Sequence, residues 1–133
     1  MLYGSKVWQL SEKHKKKLMS IEMDFWRRSA RISRLDRIRN ERIREKMKVE
    51  GNIVRDIQEK QLQWYGHVQR MADDRIPKQV LQWTPTDRRK RGRPKLSWNQ
   101  GIDSAMSERN LLPGDWDNRR RWRMETGGRR RTL

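Results

Sequence analysis

The adjacent carboxylates Asp73 and Asp74, in "MADDR", are the residues whose type and spacing most resemble a chemical site. A pair of aspartates can hold the divalent cations of an in-line phosphoryl transfer. Such a pair works from a tight strand-turn-strand with apolar residues on both sides, whereas Asp73 and Asp74 end a helical pattern and precede Arg75 and Pro77. The spacing therefore predicts a helix-terminating turn. His67, in "WYGHVQRM", has no Ser or carboxylate spaced to make it a base, so it is read as a packed or surface histidine. His14 is the only other histidine and cysteine is absent, which excludes disulfides and thiolate zinc sites and leaves too few ligands for an all-histidine one. With no acid, base, nucleophile or metal constellation to assemble, the chain is read as non-catalytic, without cofactor or metal.

Charge supplies the other chemistry. The 133 residues carry a formal +17 and seven Trp, a combination that points to nucleic acid rather than a membrane as the polyanionic partner. Residues 84–95 account for +5 of that charge and residues 119–133 for +6, leaving +6 for the other 106 residues. Two short segments thus hold the excess, as an electrostatic grip requires. The first contributes Arg88, Arg89, Lys90, Arg91, Arg93 and Lys95 as phosphate contacts, and the second Arg119, Arg120, Arg121 and Arg123. Trp64, Trp98, Trp116 and Trp122 could stack on unpaired bases; Trp64 falls on a core stripe, while Trp116 and Trp122 stand among arginines and are the better candidates. "RGRP" at Arg91 to Pro94 is also the core of an AT-hook, in which two arginines flank a glycine in a narrow minor groove, although Lys90 stands where a Pro is usual.

The elements that must position these groups read as helices. From Ser11, Leu18, Ile21, Phe25 and Ile32 recur at helical spacing, and Met19, Met23, Trp26 and Ala30 form a second stripe beside them. Ser33 marks a break before a shorter helix that Asn40 can cap, with Ile43 and Met47 inward, and Gly51 ends it. Asn52 can cap a third helix, whose Ile53, Val54, Ile57, Trp64, Val68 and Met71 keep the period to about Ala72. "KQVLQW" is too short to assign. The basic run, with Pro85, Gly92 and Pro94, reads as a linker. A last helical patch starts near Ser97, with Trp98, Ile102 and Ala105 on one face, and "NLLPGDW" turns the chain into a short basic helix before "GGRRRTL" frays. Only 32% of residues are apolar against 38% charged, so a small core with loose ends is expected. Leu18, Ile21, Phe25, Ile57, Trp64 and Val68 are its predicted members. No stretch approaches the ~20 apolar residues of a membrane span, and "MLYGSKVW" has no apolar centre of a signal peptide.

Six blocks in order carry a resemblance: "LYGSKVW" at Leu2, "IEMDFWRR" at Ile21, "RLDRIRNERIREKM" at Arg34, "LQWYGHVQRMADDRIPKQVL" at Leu62, "RRKRGRPKLSW" at Arg88 and "DWDNRRRWR" at Asp115. Together they resemble the C-terminal region of the endonuclease–reverse transcriptase polyprotein of non-LTR retrotransposons of the RTE-like or related LINE type. The resemblance covers nearly the whole chain. It implies a helical thumb that holds the template–primer duplex, followed by a basic extension. The endonuclease, the fingers and the palm of the RNA-directed DNA polymerase would precede Met1, so the chain resembles a truncated copy of such an element. The family's "MPDDR"-like segment falls on Met71 to Arg75, outside the palm. Lys6 replaces the acidic residue usual in the first block, and Met1 lies inside that block, so the first eight residues are expected to lack their packing partner. The absence of Cys sets the chain apart from relatives that end in a zinc knuckle.

The expectation is an all-α fold: a remnant of an upstream motif at 1–8, a three-helix thumb-like bundle at 9–72, a connector at 73–83, a basic linker at 84–95, and a marginal, partly disordered helical extension at 96–133. The expected role is to grip RNA, RNA–DNA hybrid or DNA, in a nucleus or a cytoplasmic ribonucleoprotein, beside the upstream reverse transcriptase domains of a full-length protein. The rival reading is a free-standing chromatin or interaction protein that uses Arg88 to Lys95 as an AT-hook.

Overall fold

Ser11 opens the first helix as its position predicts. In the computed structural model, which describes residues 2–86, 91–92 and 96–127, its side chain accepts the backbone N–H of His14 at 3.4 Å and starts α1 (Glu12–Ser29). There follow α2 (Asn40–Met47), α3 (Ile53–Gln69), α4 (Ile76–Gln82), α5 (Trp98–Ser107) and α6 (Arg119–Glu125), with single 3₁₀ turns at Ser5–Val7 and Asp115–Asp117. The fold is all-α, and no strand occurs among the described residues. The chain forms two compact units: Leu10–Ile57, and the described residues of Met1–Gln9 together with those of Gln58–Leu133.

In the Leu10–Ile57 unit the buried apolar residues are Met23, Ile43, Val54 and Ile57. Of the broad apolar face expected on α1, Met23 is buried and Leu18, Met19, Trp26, Ala30 and Ile32 are half-covered, whereas Ile21 and Phe25, expected in the core, are 53% and 59% exposed. Polar side chains along α1 reach partners outside it. Glu22 accepts from Arg44 Nη2 at 2.9 Å, Asp24 holds the Arg34 guanidinium through both carboxylate oxygens, and Arg27 Nη2 donates to the Ile38 carbonyl at 2.7 Å. These contacts tie α1 to α2 and to the segment between the two helices. Asn40, expected as a cap, is the first residue of α2 instead; Arg39 precedes it, and the Asn40 Oδ1 accepts from Arg27 Nη2 at 2.8 Å. Asn52 does cap α3, accepting the Arg55 N–H at 2.8 Å.

In the other unit Leu62 of α3, Ile102, Ala105 and Met106 of α5, Leu111, and Trp122 of α6 form a buried cluster, with Tyr65, Trp98 and Trp116 packed on it. Residues of the expected extension thus share a core with α3, to which the buried indole of Trp122 and the half-buried indoles of Trp98 and Trp116 add large apolar area. Ser97 starts α5 with a complete capping box: its Oγ accepts the Gln100 N–H at 3.2 Å, and Gln100 Oε1 accepts the Ser97 N–H at 2.9 Å. The first residues also find partners. Ser5 is buried, the buried Gln61 Nε2 donates to the Trp8 carbonyl at 2.7 Å, and Trp98 Nε1 donates to the Lys6 carbonyl at 3.1 Å. Backbone carbonyls of Trp8 and Lys6 make this attachment.

Candidate nucleic-acid interface

Helix α6 is built around one anchor. Trp122 is 2% exposed, and its indole N–H donates to the Leu62 carbonyl at 3.1 Å. Its ring lies so close to Gly66 that a Cβ there would overlap the indole. The turn before the helix is pinned as well: Arg70 Nη1 donates to the Trp116 carbonyl at 2.6 Å, and the Trp116 ring meets Tyr65 edge-on at 5.6 Å and Trp122 at 6.3 Å. Burial, and then the charge of Arg119, lower the Arg70 guanidinium below its ordinary pKa against the opposing pull of Asp117.

With Trp122 turned inward, Arg119, Arg120, Arg121 and Arg123 are all exposed. Asn118 caps the helix by accepting the Arg121 N–H at 3.1 Å, and no acidic residue stands in the first turn. Three arginines therefore crowd the end of the helix where the backbone dipole already places partial positive charge, an arrangement costing ~0.3–1 kcal/mol per charge. Asp115 relieves part of it, lying 3.4 Å from Arg121 Nη1. The remaining guanidiniums have geometry suited to phosphate, since each offers a planar fork of donors.

Of the residues singled out from sequence, Arg119, Arg120, Arg121 and Arg123 come together on this exposed helix. Arg91 is exposed, and Arg88, Arg89, Lys90, Arg93 and Lys95 lie outside the described residues. Trp122 is corrected from a base-stacking candidate to a core residue, because its polar edge is satisfied by Leu62 and its faces are covered. Trp116 is half-buried and committed to the Tyr65 and Trp122 rings. Trp64 is half-covered, with the Lys6 ammonium 4.6 Å from its ring centroid and the exposed His67 ring 5.7 Å away.

Asp73 and Asp74 sit in the exposed turn between α3 and α4. The hydrogen bond from Lys78, at 2.8 Å, holds the Asp73 carboxyl below its ordinary pKa. Among the described residues no three His, Asp or Glu gather as a metal site, and no helix is long and apolar enough to cross a membrane.

Sequence reasoning missed Trp83, which is 68% exposed at the C-terminal end of α4. The available signal was Pro77 in the first turn of that helix, a position where Pro favours helix initiation, followed by Val80 and Trp83 at helical spacing from Ile76. Comparison with protein-family models, curated proteins and solved structures gave no match.

Proposed function

We propose that this chain is a non-catalytic nucleic-acid-binding segment that grips RNA, RNA–DNA hybrid or DNA through its phosphates, as the C-terminal region of a non-LTR retrotransposon reverse transcriptase would grip its template–primer in the nucleus. The observation that carries this reading is the exposure of four arginines on α6 around a single buried tryptophan, in a chain of formal charge +17. Phosphate contacts release condensed counterions, so binding should weaken steeply with salt. Upstream polymerase and endonuclease domains would supply the chemistry in a full-length protein.

The test is a titration of RNA, RNA–DNA hybrid, AT-rich duplex and GC-rich duplex by the full chain at several salt concentrations. Substituting Arg119, Arg120 and Arg123 together by Gln should lower affinity for all four by similar factors and reduce the log–log salt slope by about two to three units, at roughly 0.7–0.9 for each phosphate that the arginines neutralise. Absence of binding at low salt, or a salt slope unchanged in the triple variant, would refute the reading. A large AT preference that disappears when Arg91 and Arg93 become Ala would instead select the AT-hook reading.

A further inference from the structure

An open groove of about 460 Å³ lies within the Gln58–Leu133 unit, between α3, α4 and the start of α5. Trp64 and Val68 line it from α3, Ile76, Val80 and Trp83 from α4, and Trp98 from α5. The α4 side stands open: Ile76 is 74%, Val80 66% and Trp83 68% exposed, although these three form the apolar stripe of their helix. Trp83 is the largest apolar side chain left in water there, and two further indoles face the same space.

The charge around the groove constrains its occupant. The Lys6 ammonium rests on the Trp64 ring, and Trp98 is tied to the Lys6 carbonyl. The chain leaves the groove at Trp83 and returns to it at Ser97, and the intervening sequence holds six Lys or Arg against one Asp. A second copy would bring its own basic run and a formal +17 against this one. An uncharged apolar peptide would make no use of the cations. A flat, apolar, stackable group attached to negative charge satisfies both features.

We propose that this groove takes an unpaired base of single-stranded nucleic acid, stacked on Trp83. The inference rests on the phosphate-binding reading above and adds a preference that α6 cannot supply, because guanidiniums on phosphates do not distinguish paired from unpaired strands. Base stacking on an aromatic ring tolerates any sequence, since every base has a π-face. Paired bases within a duplex offer no free face to the indole.

The experiment compares affinity of the full chain for a short unstructured oligoribonucleotide and for an RNA–DNA hybrid duplex of equal length, in the wild type, Trp83→Ala and Trp83→Phe. Trp83→Ala should weaken single-strand binding by about 5- to 150-fold, the equivalent of ~1–3 kcal/mol for one stacked base, and leave hybrid binding within about twofold. Trp83→Phe should retain most of the single-strand affinity. An unchanged single-strand affinity in Trp83→Ala, or equal losses on both ligands, overturns the proposal while leaving phosphate binding intact. Sedimentation showing a wild-type dimer that Trp83→Ala dissociates overturns it in favour of self-association. Failure of the wild type to bind either ligand at low salt removes both readings.

Discussion

Gly66 and Trp122 test the packing of the Gln58–Leu133 unit through opposing terms. Within a helix, replacing Gly by Ala ordinarily adds ~0.8–1 kcal/mol of stability, because Ala has less backbone freedom to lose. At Gly66 the new Cβ would stand 2.7 Å from Trp122 Cε2 and 2.9 Å from Cδ1, and closer still to Nε1. The indole must shift, at an overpacking cost of ~1–3 kcal/mol, and its hydrogen bond to Leu62 carries a further ~1 kcal/mol that is lost if the ring moves away. Gly66→Ala should therefore destabilise by about 1–3 kcal/mol net, against the helix-propensity trend. Urea unfolding followed by far-UV circular dichroism gives the number, and Trp122→Leu supplies the control. With the indole gone, Gly66→Ala should be neutral or stabilising by up to ~1 kcal/mol, so the double-mutant cycle should show a coupling of roughly 2 kcal/mol. A Gly66→Ala chain more stable than wild type, or an equal penalty with and without the indole, would refute the placement of Trp122 against α3.

The remaining substitutions probe local claims. Phe25→Ala should cost under about 1 kcal/mol, since the ring is 59% exposed; a loss near the ~3–5 kcal/mol of a buried ring would show that the outer stripe of α1 is covered in solution. Ser97→Ala removes the capping box of α5 and should destabilise by ~0.5–2 kcal/mol, with an unchanged unfolding midpoint counting against the cap. The Arg34 guanidinium holds the Asp24 carboxyl below its ordinary pKa, so this pair's contribution is fully present above the unfolded carboxylate value and fades as pH falls through the depressed folded value. Asp24→Asn should flatten that acid limb at low salt and have little effect at high salt, because the pair is exposed.

Helix existence was legible in the sequence wherever a cap and an apolar period coincided. Ser11 and Asn52 each cap the helix that their side-chain chemistry anticipates, and Ser97 caps the helix expected to start near it. Facing was only partly legible on α1, whose broad apolar face contains both the buried Met23 and the exposed Ile21 and Phe25, and whose Glu22, Asp24 and Arg27 reach partners up to 22 positions away. Periodicity contains no record of such partners. The role of Trp122 was hidden for a related reason: flanking arginines mark an exposed helix face, yet its indole needs an acceptor, and that acceptor is a carbonyl 60 residues upstream. The short α4 escaped because seven residues hold too few periods to separate a helix from a strand, so that Pro77 in its first turn and the spacing of Ile76, Val80 and Trp83 went unread.

These placements bear on how so charged a chain can both fold and present its charge. An aliphatic core would need several inward positions on every helix, and the seven residues of α6 cannot provide them while also displaying four exposed arginines. One indole resolves the conflict, because it buries a large apolar area from a single position and fixes its own orientation through the N–H. The arginines then do little for the fold. Those in the first turn oppose the helix dipole, so neutralising Arg119 or Arg120 should leave stability level or raise it by ~0.3–1 kcal/mol each. Loss of nucleic-acid affinity in the Gln variants, accompanied by an unfolding midpoint that holds or rises, would assign those charges to binding; a parallel loss of both would assign them to the fold.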